Sequence, residues 1–400
     1  MSLPDRRCHH LRVGGTGEQV RTSLWRSRGM QALIGVSFLG FTSYCLTLAS
    51  LPVHAVRGGA AESTAGVVTA VFLGVTIAVQ ATVPGLTARY GIGPVLAAGL
   101  VAMGAPSPLY ALDDGVAWIS ALSAVRGAGF AVLTVLGATL SARVAPPERR
   151  GESIGLYGLA IAVPNMVAVP GGVALVLGDS VALLAWLSAS PVLGVALVPL
   201  LVRSLGPQPV TGPAGTNRAA ALAAVAPSLV LLAVTLAGGG LVTFLPIERP
   251  DGALATAALL LFGATGAVTR WRAGLLADRV GLRRLLPLAV GLAAGGLAAV
   301  GAGLVAGDAW VLVGAAVFGM GYGAVQNLTL LASFTRAGES GTTAASALWN
   351  ASFDAGTAIG ALALGVVAAG IGLDLTYVVV AAGLAALLPL AAAAARPGRG

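Results

Sequence analysis

Apolar runs of about 20 residues, each long enough for a helix to cross a hydrocarbon core of roughly 30 Å, recur along the whole chain, parted by short polar segments rich in arginine. The pattern is sharpest at Gly274-Leu275-Leu276-Ala277-Asp278-Arg279-Val280-Gly281-Leu282-Arg283-Arg284, which lies between the apolar runs Ala253 to Thr269 and Leu285 to Ala306. Such a segment reads as a loop joining two membrane spans. In lipid the backbone must satisfy its own hydrogen bonds, so the spans are helices. Composition agrees, with 57% hydrophobic residues, 10% charged and a mean hydropathy of +0.90, against about a quarter charged in soluble domains. The expected class is an all-α polytopic membrane protein.

Charge placement then orients the chain. All 23 basic residues are arginine, and the formal net charge is +8. Only Arg57 and Arg249 fall on one face, Arg126 lies within a span, and the rest share the other face. Short loops retain positive charge on the cytoplasmic side, so the arginine-rich face is expected to be cytoplasmic. This distribution argues for a membrane protein with lipid neighbours and against a nucleic-acid partner. Twelve spans follow, with both termini inside a cell (inner) membrane. The expected units are a cytoplasmic tail at 1–28, six spans at 29–202, a proline- and glycine-rich linker at 203–218, six spans at 219–395 and a short tail at 396–400. Cys8 and Cys45 offer no disulfide framework, and the solvated pair His9–His10 lacks the company a metal site needs, so no metal or cofactor is expected.

The Gly-x-x-x-Asp-Arg-x-Gly pattern followed by Arg283-Arg284 resembles the signature loop of the major facilitator superfamily (MFS), with Leu282 inserted before the arginine pair. That resemblance implies twelve helices in two pseudo-symmetric six-helix bundles, a central cavity and alternating access. It also implies a cytoplasmic latch made by Gly274, Asp278, Arg279, Gly281, Arg283 and Arg284. The corresponding first-half loop, Gly85 to Gly91, keeps Arg89 but has Ala88 where the acid would stand, which predicts an asymmetric latch. Arg126-Gly127-Ala128-Gly129-Phe130 resembles the family's fourth-helix arginine motif. Pro164, Asn165, Pro170, Gly171 and Gly172 resemble a fifth-helix motif associated with exporters. An internal repeat supports two halves: Gly127-Ala128-Gly129-Phe130 answers Gly319-Met320-Gly321-Tyr322, and Gly151-Glu152-Ser153 answers Gly338-Glu339-Ser340.

Charges deep in spans are costly and usually face a cavity or a partner. Arg126 and Asp354 are two such groups in opposite halves, read as the proton-coupling and substrate-handling pair; the competing reading is a structural ion pair locking the halves. Tyr44, Gln80, Gln326, Asn327, Trp349 and Asn350 are expected to line the cavity, with interhelical hydrogen bonding as the alternative role. The resemblance, through its latch and the two-fold relation between halves, implies that Asp278 meets the helix start at Gly151 to Ser153, where exposed amides favour a carboxylate. The sequence shows no nucleophile elbow, phosphate loop or dinucleotide fingerprint. The expected function is therefore transport: proton-coupled efflux of small organic molecules by a monomer. An uptake symporter for a small polar solute such as a sugar, and a non-transporting receptor or scaffold, stand as alternatives.

Overall fold

The structure, a computed structural model, describes residues 24–60, 62–205, 214–248 and 253–396. Expectations for Cys8, His9, His10, Arg249, the terminal tails before 24 and after 396, and the centre of the 203–218 linker lie outside the described residues. Among the described residues nine helical runs are long and apolar enough to cross a membrane, two bent pairs raise the number to eleven, and the run Asp308–Ile371 holds two spans parted at Gly338. Twelve spans result. We number them α1 (Arg28–Arg57), α2 (Gly66–Gln80 with Val83–Tyr90, bent by 53°), α3 (Ile92–Ala111), α4 (Val116–Arg143), α5 (Pro147–Leu177) and α6 (Val181–Arg203). The second six are α7 (Arg218–Pro246), α8 (Ala253–Val280), α9 (Leu282–Ala306), α10 (308–337), α11 (339–371) and α12 (Leu373–Ala386 with Leu388–Ala394, bent by 41°).

Two segments read as loops are mostly helix. The stretch from Gly274 continues α8 to Val280, and the chain reverses at Gly281 alone, whose φ of +88° suits a residue without Cβ. Its first-half counterpart is a short helix, Val83–Tyr90, ended by Gly91 at φ +83°. The physical reason is local: Leu275, Leu276, Ala277 and Arg279 are good helix formers, and no glycine or proline interrupts them before Gly281. Between α10 and α11 the break is also a single residue, Gly338, at φ +70° and ψ 176°.

Glycines set the helix spacing, since without a hydrophobic drive between helices in lipid, close backbone approach holds them together. The internal repeat is visible in these contacts. A Cβ on Gly127 would strike the Phe72 carbonyl of α2, and one on Gly129 would strike the Gly99 backbone of α3. In the second half Gly319 meets Phe262 of α8 and Gly321 meets Ala293 of α9. The same glycine pair thus seats α4 and α10 against equivalent neighbours. Between the halves, Gly151, Gly155 and Gly158 form a stripe on α5 that packs on Gly274, Trp271 and Arg270 of α8. Large apolar side chains such as Trp186, Leu193, Val305 and Leu362 face outward, as a lipid-contacting surface requires.

Candidate functional site in the central cavity

Asp354 lies on α11, half-buried at the junction of the two halves. Its Oδ2 accepts a hydrogen bond of 2.8 Å from Gln80 Nε2 of α2. That Nε2 also lies 3.4 Å from Thr134 Oγ1 of α4, while Gln80 Oε1 is buried with no hydrogen-bond partner. One turn earlier, Asn350 Nδ2 donates to Ser346 O at 2.8 Å and reaches Thr134 O at 3.4 Å. Ser346 Oγ donates to Val135 O at 2.7 Å. This face of α11 is polar because i and i+4 residues share it, and it is seated on α2 and α4 of the other half.

Aromatic rings flank the polar line. Tyr44 stacks on Phe130 with centroids 4.3 Å apart and on Phe72 at 5.5 Å. Trp349 stacks on Phe353 at 6.0 Å and anchors its Nε1 to Thr329 Oγ1 at 3.0 Å. Tyr322 packs with Phe262 at 5.0 Å and lies within electrostatic reach of Asp354.

The structure places a third buried-depth charge here, Arg270 of α8, which the sequence reading grouped with the arginines of the adjoining polar segment. Ten residues of helix separate it from the end of α8 at Val280, about 15 Å at 1.5 Å per residue. The helical extent of that segment is the signal that would have found it. Arg270 Nη1 donates to Gln326 Oε1 at 2.7 Å, whereas its buried Nε has no acceptor. Its side chain crosses into the other half over Gly158, where a Cβ would stand 2.6 Å from Nε, and Tyr157 and Tyr322 lie within its electrostatic reach.

Arg126 and Asp354, expected to act together, are held apart. Arg126 is fully buried within the first half: Nε donates to Met103 O at 2.9 Å, Nη1 to Tyr110 Oη at 3.3 Å, and Nη2 to Ser43 Oγ at 2.8 Å and Ser43 O at 3.3 Å. Tyr110 also faces the guanidinium, its ring centroid 5.3 Å away. A small cleft lined by Tyr44, Thr47, Phe72 and Ser123 reaches Arg126 from one side. Neither Arg126, Arg270 nor Asp354 belongs to any of the ion pairs formed among the described residues. Neutral hydrogen bonds satisfy Arg126, with no carboxylate among its partners.

Asn327, expected in the cavity wall, instead pins the α5–α8 crossing, donating from Nδ2 to Arg270 O at 3.0 Å and to Gly151 O at 3.4 Å. Its neighbour Gln326 faces Arg270. At the arginine-rich end, Asp278 accepts the N–H of Gly151 at 3.1 Å and of Glu152 at 3.0 Å, at the start of α5. Arg150 and Glu339 add an ion pair of 2.8 Å across the halves. These inter-half bonds run from the depth of Asp354 to the arginine-rich end, which is closed in this conformation.

Twelve helices in paired sixes, meeting along a polar line with glycine-packed crossings, define a transporter architecture. The family model for the Major Facilitator Superfamily matches residues 32–361, and the chain belongs to that family. It is a multi-pass membrane transporter and not an enzyme. Among solved structures, the human organic anion transporter MFSD10 (TETRAN) superposes with a TM-score of 0.73 at 15% identity, covering 91% of this chain and 99% of that one. The E. coli fucose:proton symporter FucP gives 0.71 at 15% identity, covering 93% and 100%. The proton:xylose symporter XylE gives 0.68 at 15% identity, covering 91% and 94%. At such identity the likeness is one of fold. A search of curated protein sequences found no significant match.

Proposed function

We propose that the protein is a proton-coupled secondary transporter of small organic molecules, working by alternating access, with Asp354 as the group that takes up and releases the proton. The Asp354–Gln80 hydrogen bond carries this reading. A primary amide can serve both protonation states: its NH2 donates to a carboxylate, and after turning over, its carbonyl accepts from a carboxylic acid. The unpartnered Gln80 Oε1 is the acceptor such an exchange requires. Because the bond joins α2 to α11, a change in charge at Asp354 alters what holds the halves together. The moving bodies are then 29–202 and 219–395, tied by 203–218, and the arginine-rich end is cytoplasmic on the positive-inside argument. The conformation described is held closed on that side by Asp278.

The structural neighbours lend support, two being proton symporters and one an organic anion transporter. Export is the proposed direction, resting on the proline- and glycine-bearing α5, where Pro164 and Pro170 lie inside the helix and Gly172 packs on the Leu46 carbonyl of α1. Uptake with protons is the second reading, favoured by the polar pair Arg270–Gln326 at the cavity. The test is a reconstituted system: purified protein in proteoliposomes under an imposed pH gradient, with proton movement followed by an internal dye while candidate solutes are added. Asp354→Asn is expected to lose solute-driven proton flux while retaining solute exchange. Full pH-dependent coupling in that variant would overturn the reading, and the sign of proton flux on solute addition decides between export and uptake.

A further inference from the structure

We propose that the transported solute carries an anionic group, a carboxylate in the first instance, and that Arg270 is the residue that binds it. The inference deepens the reading above, since it rests on the central cavity being the transport site. A guanidinium stays charged at any physiological pH, and a buried charge left without compensation is expensive. The chain contains two arginines at depth, and it treats them differently. Arg126 spends its donors on Met103, Tyr110 and Ser43, all fixed acceptors of its own half. It has no exposed surface. Arg270 has one neutral acceptor, Gln326 Oε1, a buried Nε–H with none, and is partly exposed.

The geometry suits a carboxylate. With Nη1 held by Gln326, the buried Nε–H still lacks an acceptor, and a planar fork presenting two parallel N–H groups matches the two oxygens of a carboxylate. Tyr157 of α5 and Tyr322 of α10 lie within electrostatic reach of the same guanidinium. Among the described residues no acidic side chain forms an ion pair with Arg270; Asp354 is bonded to Gln80 instead. The partly exposed rings of Tyr322 and Phe353, packed on Phe262 and Trp349, would receive an apolar body attached to the anion. Because the Arg270 side chain lies over Gly158 of the opposite half, an anion bound there touches both moving bodies. Its binding energy therefore bears on their relative position.

The experiment uses matched pairs: benzoate with benzamide, phenylacetate with phenylacetamide, and a series of alkyl and aryl acids with their primary amides. Each is titrated onto the purified full chain in detergent, with thermal stabilisation and isothermal titration as readouts. At least one acid is expected to bind and to exceed its amide, which keeps shape and loses the charge. Arg270→Gln should weaken that acid about ten-fold or more and leave the amide unaffected, as expected for loss of a charge-assisted bidentate pair. Arg270→Lys, which keeps charge without the fork, should recover part of the loss. The proposal is overturned if no acid exceeds its amide, or if Arg270→Gln binds acids as the unmodified protein does. The comparison on the unmodified protein stands even if a variant fails to fold. A failure of proton coupling in the Asp354→Asn experiment leaves these binding results untouched, so the two readings fall separately.

Discussion

Replacing Arg126 by leucine would remove from a buried site the hydrogen bonds that the Met103 carbonyl, Tyr110 Oη and both Ser43 oxygens accept from that guanidinium. Hydrogen bonds to charged groups contribute about 1.5 to 3 kcal/mol each. Arg126→Leu is therefore expected to lower stability by about 3 kcal/mol or more, seen as a reduced thermal midpoint in scanning fluorimetry. Arg126→Lys should recover little, since one ammonium cannot span Met103, Tyr110 and Ser43 together. These two deep charges, Arg126 and Asp354, were legible in the sequence because a lone ionisable residue amid apolar neighbours has few explanations. Their separation was not, since depth along a helix says nothing about the face a side chain takes. Arg270 escaped for a different reason: with Arg272 and Arg279 close behind, nothing local distinguishes a cavity charge from a boundary charge.

For the helices, the number of spans was readable from run length alone, whereas their ends were not. Polar residues after Gly274 mark the edge of the apolar layer, yet the helix has no reason to stop until Gly281 adopts a backbone other residues resist. Gly281→Ala is expected to destabilise the α8–α9 reversal by about 1 to 2 kcal/mol, the cost of a Cβ in left-handed backbone, read as a lower thermal midpoint. The α5–α8 crossing is a sterner constraint. A Cβ on Gly274 would fall on the Gly151 carbonyl, and one on Gly155 would stand 2.8 Å from the Trp271 carbonyl. Gly274→Val should wedge the crossing apart and favour the state open at the arginine-rich end. Spin labels placed on α5 and α8 at that end would report the change as a longer inter-label distance; an unchanged distribution would count against the crossing as a closure contact.

Across the whole molecule, closure at the arginine-rich end rests on unequal fastenings. Asp278 takes two backbone N–H groups of α5, while Arg150 and Glu339 meet as an ion pair whose acid is 69% exposed. Exposed pairs contribute roughly 0 to 1 kcal/mol, so Glu339→Gln should leave the balance of states nearly unmoved. Asp278→Ala should cost about 1 kcal/mol of closure, discounted for its exposure, and shift the open population about five-fold in thiol-accessibility measurements on cysteines introduced at that end. The asymmetry was legible in Ala88; the Glu339 contact was not, because pairs between halves leave no spacing pattern in sequence. A last consequence follows from the joints. Gly281, Gly307, Gly338 and Gly372 are each the lone non-helical residue between successive spans of the second half. Joints this short leave no slack in which a single rod could slide or swivel. A push delivered to α8 at the cavity must tip all the spans from α8 to α12 like one plank, carrying a small movement at the middle into a larger swing at the rim.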